Sequence, residues 1–220
     1  MKKSILLSGR LALCASYVAE NSRLADIGTD HAYLPIALAL ENRISYAVAC
    51  DIAEGPLERA KENIRKYDLE DKIQTRLSDG LVNVSREEID TVIIAGMGGE
   101  LIAKILSDCP YSRDKDLTLI LQPMTRYEKL ISWLYENGFA IESQQAVTEE
   151  NKRYTVMLAV YTGERTIPSP CSLYVGKLNR ENVEDKLFLE HTLNRLKKQA
   201  LGDESSLIAA KELEEYLYEN

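Results

Sequence analysis

The sequence predicts an α/β protein, a doubly wound and mostly parallel sheet followed by an antiparallel helical hairpin of coiled-coil type. Three observations carry this expectation. Apolar runs rich in β-branched residues recur at regular intervals as far as Gln122, with helically spaced segments between them. Two more strand-like runs then follow with only polar residues between them, which favours a hairpin over a further crossover. Beyond Pro168-Ser169-Pro170, leucines fall on helical stripes.

The chain has 220 residues, enough for one full domain and a small appendage. With 45% hydrophobic and 28% charged residues it has the balance of a folded protein. Met1-Lys2-Lys3 before an apolar stretch invites a signal-peptide reading. Arg10 interrupts that stretch, and Leu13 is bulky where cleavage wants a small residue, so an amphipathic helix is expected instead. No apolar run is long enough to predict a membrane span. Cys14, Cys50, Cys109 and Cys171 form no Cys-x-x-Cys pair, and His31 and His191 have no companion at ligand spacing. Reduced thiols, a cytoplasmic location and no metal are expected.

The predicted parallel strands are 23–28, 46–51, 73–78, 90–96 and 117–122, alternating with helices over 34–40, 57–67, 101–106 and 127–137. Asn137-Gly138 supplies the last helix with a left-handed stop. The runs 139–147 and 154–161 make the hairpin, joined through polar residues 148–153. Five parallel strands ending in an antiparallel hairpin resemble the Rossmann-like sheet of class I methyltransferases, which sets them apart from dehydrogenases by fold analogy.

In the tail, Leu189, Leu193, Leu196 and Ala200 form one stripe and Leu207, Ala210, Leu213 and Leu217 another. Leu201-Gly202-Asp203 lies between them as a glycine stop and an N-cap. The expected division is 1–165 for the catalytic domain and 171–220 for the hairpin, whose stripes also allow a homodimer. A net charge of −8 argues against a generic nucleic-acid coat. The tail is polarised, however: positions 177–200 carry six Lys/Arg against four Asp/Glu, and positions 203–220 one against six.

The chemistry is expected at four strand ends. Gly28 allows the tight first βα turn of a nucleotide site. Asp30 and His31 stand where a dinucleotide fingerprint would carry further glycines, which disfavours NAD. Asp26, two residues before that glycine, suits the ammonium of an amino-acid ligand such as S-adenosyl-L-methionine. Asp51 can accept from ribose hydroxyls and Asp79 from an adenine amino group. Gly96, Gly98 and Gly99 imply close approach to the backbone.

Taken together, Ser8-Gly9-Arg10-Leu11, Asp26-Ile27-Gly28-Thr29-Asp30-His31-Ala32-Tyr33-Leu34-Pro35, Gly55-Pro56-Leu57, Asp79-Gly80-Leu81, Ile94-Ala95-Gly96-Met97-Gly98-Gly99 and Leu121-Gln122-Pro123 resemble the bacterial TrmK family. Members are tRNA (adenine(22)-N1)-methyltransferases with a Rossmann-type domain and a C-terminal coiled coil. The resemblance implies S-adenosyl-L-methionine as cofactor and tRNA as partner. It puts Asp26, Gly28, Thr29 and His31 at the methionine end, Asp51 and Ile52 at the ribose, and Asp79 and Gly80 at the adenine. Gly96, Met97 and Gly98, with Gln122 and Pro123, would position the target base, Gly96 also touching cofactor. Arg10 would bind the cofactor carboxylate or an RNA phosphate. Met124 and the Leu130-Ile131-Ser132 segment depart from the family pattern, which has Asn and an arginine there. A methyltransferase for a small molecule or protein, and a non-catalytic interaction module, are the alternatives.

No aromatic-flanked Pro-Pro string and no cysteine nucleophile stands at 95–100. A ring nitrogen with an in-plane lone pair needs neither, so placement and water exclusion would suffice.

Overall fold

The computed structural model describes residues 4–200 and 203–219. The expected features at Met1-Lys2-Lys3 and at Leu201-Gly202 lie outside them. Seven strands form one sheet in the order β3-β2-β1-β4-β5-β7-β6. They are β1 (Ser22–Ile27), β2 (Ile44–Asp51), β3 (Ile73–Leu77), β4 (Thr91–Gly98), β5 (Thr118–Thr125), β6 (Phe139–Glu149) and β7 (Lys152–Tyr161). The first five are parallel; β7 lies antiparallel between β5 and β6.

Strand alternation divides the core in two. On one face Leu24, Ala47, Ala49, Ile93 and Ile120 pack under α1 (Gly9–Ser16), α2 (Tyr33–Leu40) and α3 (Glu54–Lys66). On the other, Ala25, Ile27, Val48, Cys50, Val92, Ile94, Leu119 and Leu121 pack under α4 (Gly99–Asp108) and α5 (Tyr127–Glu136). Burial on both faces explains why the central strands β1, β2, β4 and β5 are largely apolar, whereas β3, at the sheet edge, reads Ile-Gln-Thr-Arg-Leu. It also leaves polar residues to accumulate at the strand tips.

The β6–β7 hairpin is tighter than the polar stretch 148–153 suggests. Its strands run to Glu149 and from Lys152. Glu150 and Asn151 turn the chain with φ of 49° and 63°, the geometry whose twist matches the flanking strands.

The tail comprises α6 (Ser172–Val175), α7 (Val183–Gln199) and α8 (Glu204–Tyr218). Asn182 caps α7 and Asp203 caps α8 with their side chains. Phe188, Leu189, Leu193, Leu196, Ala209, Ala210, Leu213 and Leu217 belong to the same core as α4 and α5. Of the second stripe, Ala210, Leu213 and Leu217 are buried as expected, whereas Leu207 is 45% exposed and Ala209 faces inward. Asp185, 2% exposed, accepts from the Ala146 amide at 2.6 Å and the Asn179 amide at 3.0 Å. Those bonds tie α7 to the outer strand of the sheet, which would otherwise be an open edge.

Candidate active site at the carboxyl edge of the sheet

The tips of β1 and β4 meet α1, the turn into α2 and the end of β6 around a cavity of about 530 Å³. Arg10, Asp26, Gly28, Thr29 and Gly96, five of the expected residues, line it. Sequence reasoning missed Ser8, Tyr33 and Glu149, which line it too. Glu149 comes from the far end of the β6–β7 hairpin and belongs to no local motif.

Asp26 is 7% exposed. Burial pushes its carboxyl up to about 6, with the neighbouring Thr29 pulling the other way and the Asp51 charge adding to the rise. The buried Thr29 Oγ1 has no well-formed hydrogen bond among the described residues, and neither does Ser8 Oγ. Buried polar groups are nearly always paired, so a carboxyl raised by burial beside two hydroxyls without a well-formed hydrogen bond marks a place built for a polar ligand.

The turn after β1 is tightly packed. Gly28 has φ +77°, and a Cβ there would come within 2.3 Å of Met97 Cε, so Met97 lies across the first βα turn. His31 and Ala32 follow with φ of 72° and 56°, an unusual pair of left-handed residues without glycine. The turn is thus formed by strained backbone, and α2 starts without a side-chain cap from Asp30. The His31 ring is turned to its own loop: it stacks on Tyr33 at 5.2 Å and faces Asp30 at 3.3 Å.

The floor is made by β4 and β5. Their pairing slips at Gly96, which has φ +81° and donates its amide to Gln122 Oε1 at 3.0 Å. The same oxygen accepts from Arg10 Nη1 at 3.3 Å, and Gln122 Nε2 donates to the Pro123 carbonyl at 3.1 Å. Gln122 is fully buried with both ends of its amide engaged, so it fixes the floor from beneath. Glu149 in turn holds Arg10, accepting from its amide at 2.9 Å and lying 3.6 Å from its Nε.

The other expected residues occupy neighbouring ground. Asp51 ends β2, and its Oδ1 accepts from the Ala53 amide at 2.9 Å, while Ile52 beside it is 69% exposed. Asp79 lines a separate cavity of about 310 Å³ with Leu101, Lys104 and Ile105. Gly80 has φ +57°, and a Cβ there would meet Ile105 at 2.9 Å. Gly98 faces Thr125 Oγ1. Pro123 opens onto a third and larger groove on the side of the tail. Asp26 and Asp79 therefore line two different cavities, and Asp51, at the end of β2, lines neither of them.

The chemistry of this edge fits an adenosyl amino acid: Asp26 suits an ammonium, Asp51 a ribose diol, and Gly96 leaves the backbone of the floor open. A methyltransferase-domain family model matches residues 7–157. A tRNA (adenine(22)-N(1))-methyltransferase of Bacillus subtilis (strain 168) is 39% identical over 153 residues, 70% of this chain and 64% of that enzyme. The matched stretch thus spans just under two thirds of the curated relative. The crystal structure of the Bacillus subtilis m1A22 tRNA methyltransferase TrmK superposes with a TM-score of 0.80 at 31% identity, covering 97% of each chain. That of Streptococcus pneumoniae Sp1610 in complex with S-adenosyl-L-methionine superposes with a TM-score of 0.85 at 31% identity, covering 97% of this chain and 100% of the other. Sheet order, strand-tip chemistry and these likenesses agree, and the chain belongs to the TrmK family of methyltransferases.

Proposed function

We propose that this protein transfers the methyl group of S-adenosyl-L-methionine to N1 of adenine 22 in tRNA. The observation that carries the reading is the edge just described, where the buried Asp26 carboxyl, the Ser8 and Thr29 hydroxyls and the turns at Gly28 and Gly96 surround one cavity beside a rigid floor. Bound there, the cofactor supplies an electrophilic methyl group on a sulfonium. Asp26 receives the ammonium, with Thr29 and Arg10 at the same end. Asp51 holds the ribose, and Asp79 with the Gly80 turn the adenine. Gly96, Met97 and Gly98, held from below by Gln122 and Pro123, orient the target base.

No residue need remove a proton, because N1 of adenine offers a free lone pair. Catalysis then rests on alignment and on excluding water. His31, engaged with Asp30 and Tyr33, shapes the loop instead of acting as a base. In this reading residues 1–165 bind cofactor and carry the chemistry, residues 171–220 form the hairpin, and the place of action is the cytoplasm. Among the described residues no helix is long and apolar enough to cross a membrane. Apart from Leu207, the leucines of the hairpin's two stripes are buried within the chain, so no homodimer is proposed from them.

The test is mass spectrometry of unmodified tRNA after incubation with protein and cofactor. The expected product is 1-methyladenosine at position 22. Methylation at another position, or transfer only to small molecules or protein, would overturn the reading.

A further inference from the structure

Five buried side-chain atoms among the described residues lack a hydrogen-bond partner. Ser8 Oγ and Thr29 Oγ1 line the cofactor cavity. Two others, Glu128 Oε2 and Arg153 Nε, line a different one, a groove of about 760 Å³ that begins at Pro123 and runs between α5, the start of β7 and the tail helices α7 and α8. One is an acceptor and one a donor. A buried group left unpaired is costly, and two of opposite kind in one groove describe an occupant that offers both a donor and an acceptor.

The surroundings narrow the occupant's chemistry. Glu128 is 8% exposed, and its carboxylate has guanidinium groups at 3.9 Å on two sides, from Arg126 and from Arg195 of α7, both outside hydrogen-bond distance. Arg195 also lies over the Tyr127 ring at 5.7 Å. Arg126, Lys129, Arg153 and Arg195 line the groove against Glu128 and Asp203, in a chain whose net charge is −8. A locally cationic groove with an arginine plane, the ring of Tyr174 and one sunken carboxylate suits a nucleotide. Its phosphates meet the arginines, its base can stack, and an amino or imino group of the base can reach Glu128. An acidic peptide would find no use for that carboxylate.

We infer that this groove is a second nucleotide subsite, in which Glu128 accepts from the edge of a base flanking the methylated adenosine and Arg153 donates to that nucleotide. The inference rests on RNA being the substrate and adds to it a point of sequence discrimination outside the catalytic edge. Pro123 belongs both to the base-positioning floor and to the mouth of the groove, so one strand can occupy the two at once.

The experiment compares the full-length protein with Glu128→Gln and Arg153→Lys, which keep size or charge. It uses fluorescence anisotropy with an unmodified tRNA transcript at several salt concentrations, and calorimetry with S-adenosyl-L-methionine as control. Glu128→Gln should weaken tRNA binding roughly tenfold or more, the scale for a hydrogen bond to a charged group, and raise KM for tRNA more than it lowers kcat. The salt slope should stay the same, since no phosphate contact is lost. Arg153→Lys should weaken binding by a smaller factor, and cofactor affinity should be unchanged in both.

The direction of the effect separates the alternatives. If Glu128 merely braces Arg126 and Arg195, removing its negative charge leaves tRNA affinity equal or makes it tighter, and the inference is overturned. A groove serving a protein partner would leave both variants at the wild-type level, which overturns it equally. Wild-type protein that binds cofactor but neither binds nor methylates tRNA would instead remove the substrate reading, and this subsite with it.

Discussion

The two large cavities of this protein are built by different means. Around the cofactor cavity the determinants are short in sequence and largely backbone: a glycine at φ +77°, two left-handed residues after it, and a β4–β5 slip at Gly96. Around the groove beside the tail they are side chains from distant segments, Glu128 on α5, Arg153 on β7 and Arg195 on α7. The proposed ligands match this difference: a small cofactor of fixed shape suits a site set by backbone, and a long flexible polymer suits charges assembled through topology. The two regions touch at Gly99, the first residue of α4, where a Cβ would stand 2.3 Å from the Arg126 carbonyl.

Gly99→Ala is accordingly the most disruptive single change to expect. The obstacle is backbone, and Arg126 is itself held at φ 55° just before α5, so the loop has little freedom to retreat. We expect a loss of about 2–4 kcal/mol in stability, in the range of severe overpacking, together with weakened binding of both cofactor and tRNA. Urea denaturation with calorimetry checks it. Loss of one binding function alone would mean that the two regions are less joined than the geometry says.

Asp185→Ala breaks the tail side only. Its carboxylate satisfies the Ala146 and Asn179 amides, and removing it strands the buried Ala146 donor. The expected cost is about 2–3 kcal/mol, with cofactor affinity preserved. Hydrogen exchange localised to β6 and α7 would verify where the loosening lies. Removing the whole tail would be a poorer test, because Phe188, Leu189, Leu193 and Leu196 are part of the core under α5.

Asp51→Ala breaks the other side only. Loss of the ribose partner should weaken S-adenosyl-L-methionine binding by about 1–3 kcal/mol and leave tRNA binding in the absence of cofactor unaltered. Unchanged cofactor affinity by calorimetry would count against the site.

This division explains what could be foreseen. The parallel strands and their helices were legible because strands buried on both faces, as β1, β2, β4 and β5 are, must be largely apolar, and the carboxylates Asp26, Asp51 and Asp79 then stand out near their ends. Gly28, Gly80 and Gly96 were legible because a positive φ selects glycine. The place of Glu149 was not, since a strand-end glutamate at a tight turn looks like any solvated charge until the hairpin brings it to Arg10. Glu128 escaped for the same reason, as one acidic residue in the first turn of a helix. Leu207 was misplaced because Leu207, Ala210, Leu213 and Leu217 share one stripe with the alternative set in which Ala209 faces inward, and only the packing against α7 chooses between them.

The smallest effect expected is also the one that isolates the cofactor side by pH alone. The Asp26 carboxyl is raised to about 6, chiefly by burial. In the unliganded protein that rise makes ionisation unfavourable, so stability declines as pH increases from the unfolded carboxylate range near 4 through 6, by about 1.4 kcal/mol for each pH unit crossed. Ligand binding has the opposite dependence. Below pH 6 an arriving ammonium must displace a proton, and cofactor affinity should fall by up to tenfold for each further unit, while between pH 7 and 8 it should hardly change. The buried Cys14 thiol, pushed up to about 12, stays neutral across this window and adds no slope. Calorimetric titration from pH 5 to 8 should show the bend near 6 in the wild type and none in Asp26→Asn, whose affinity is lower throughout. An identical bend in the variant would assign the proton to another group and take from Asp26 its role as the ammonium's partner.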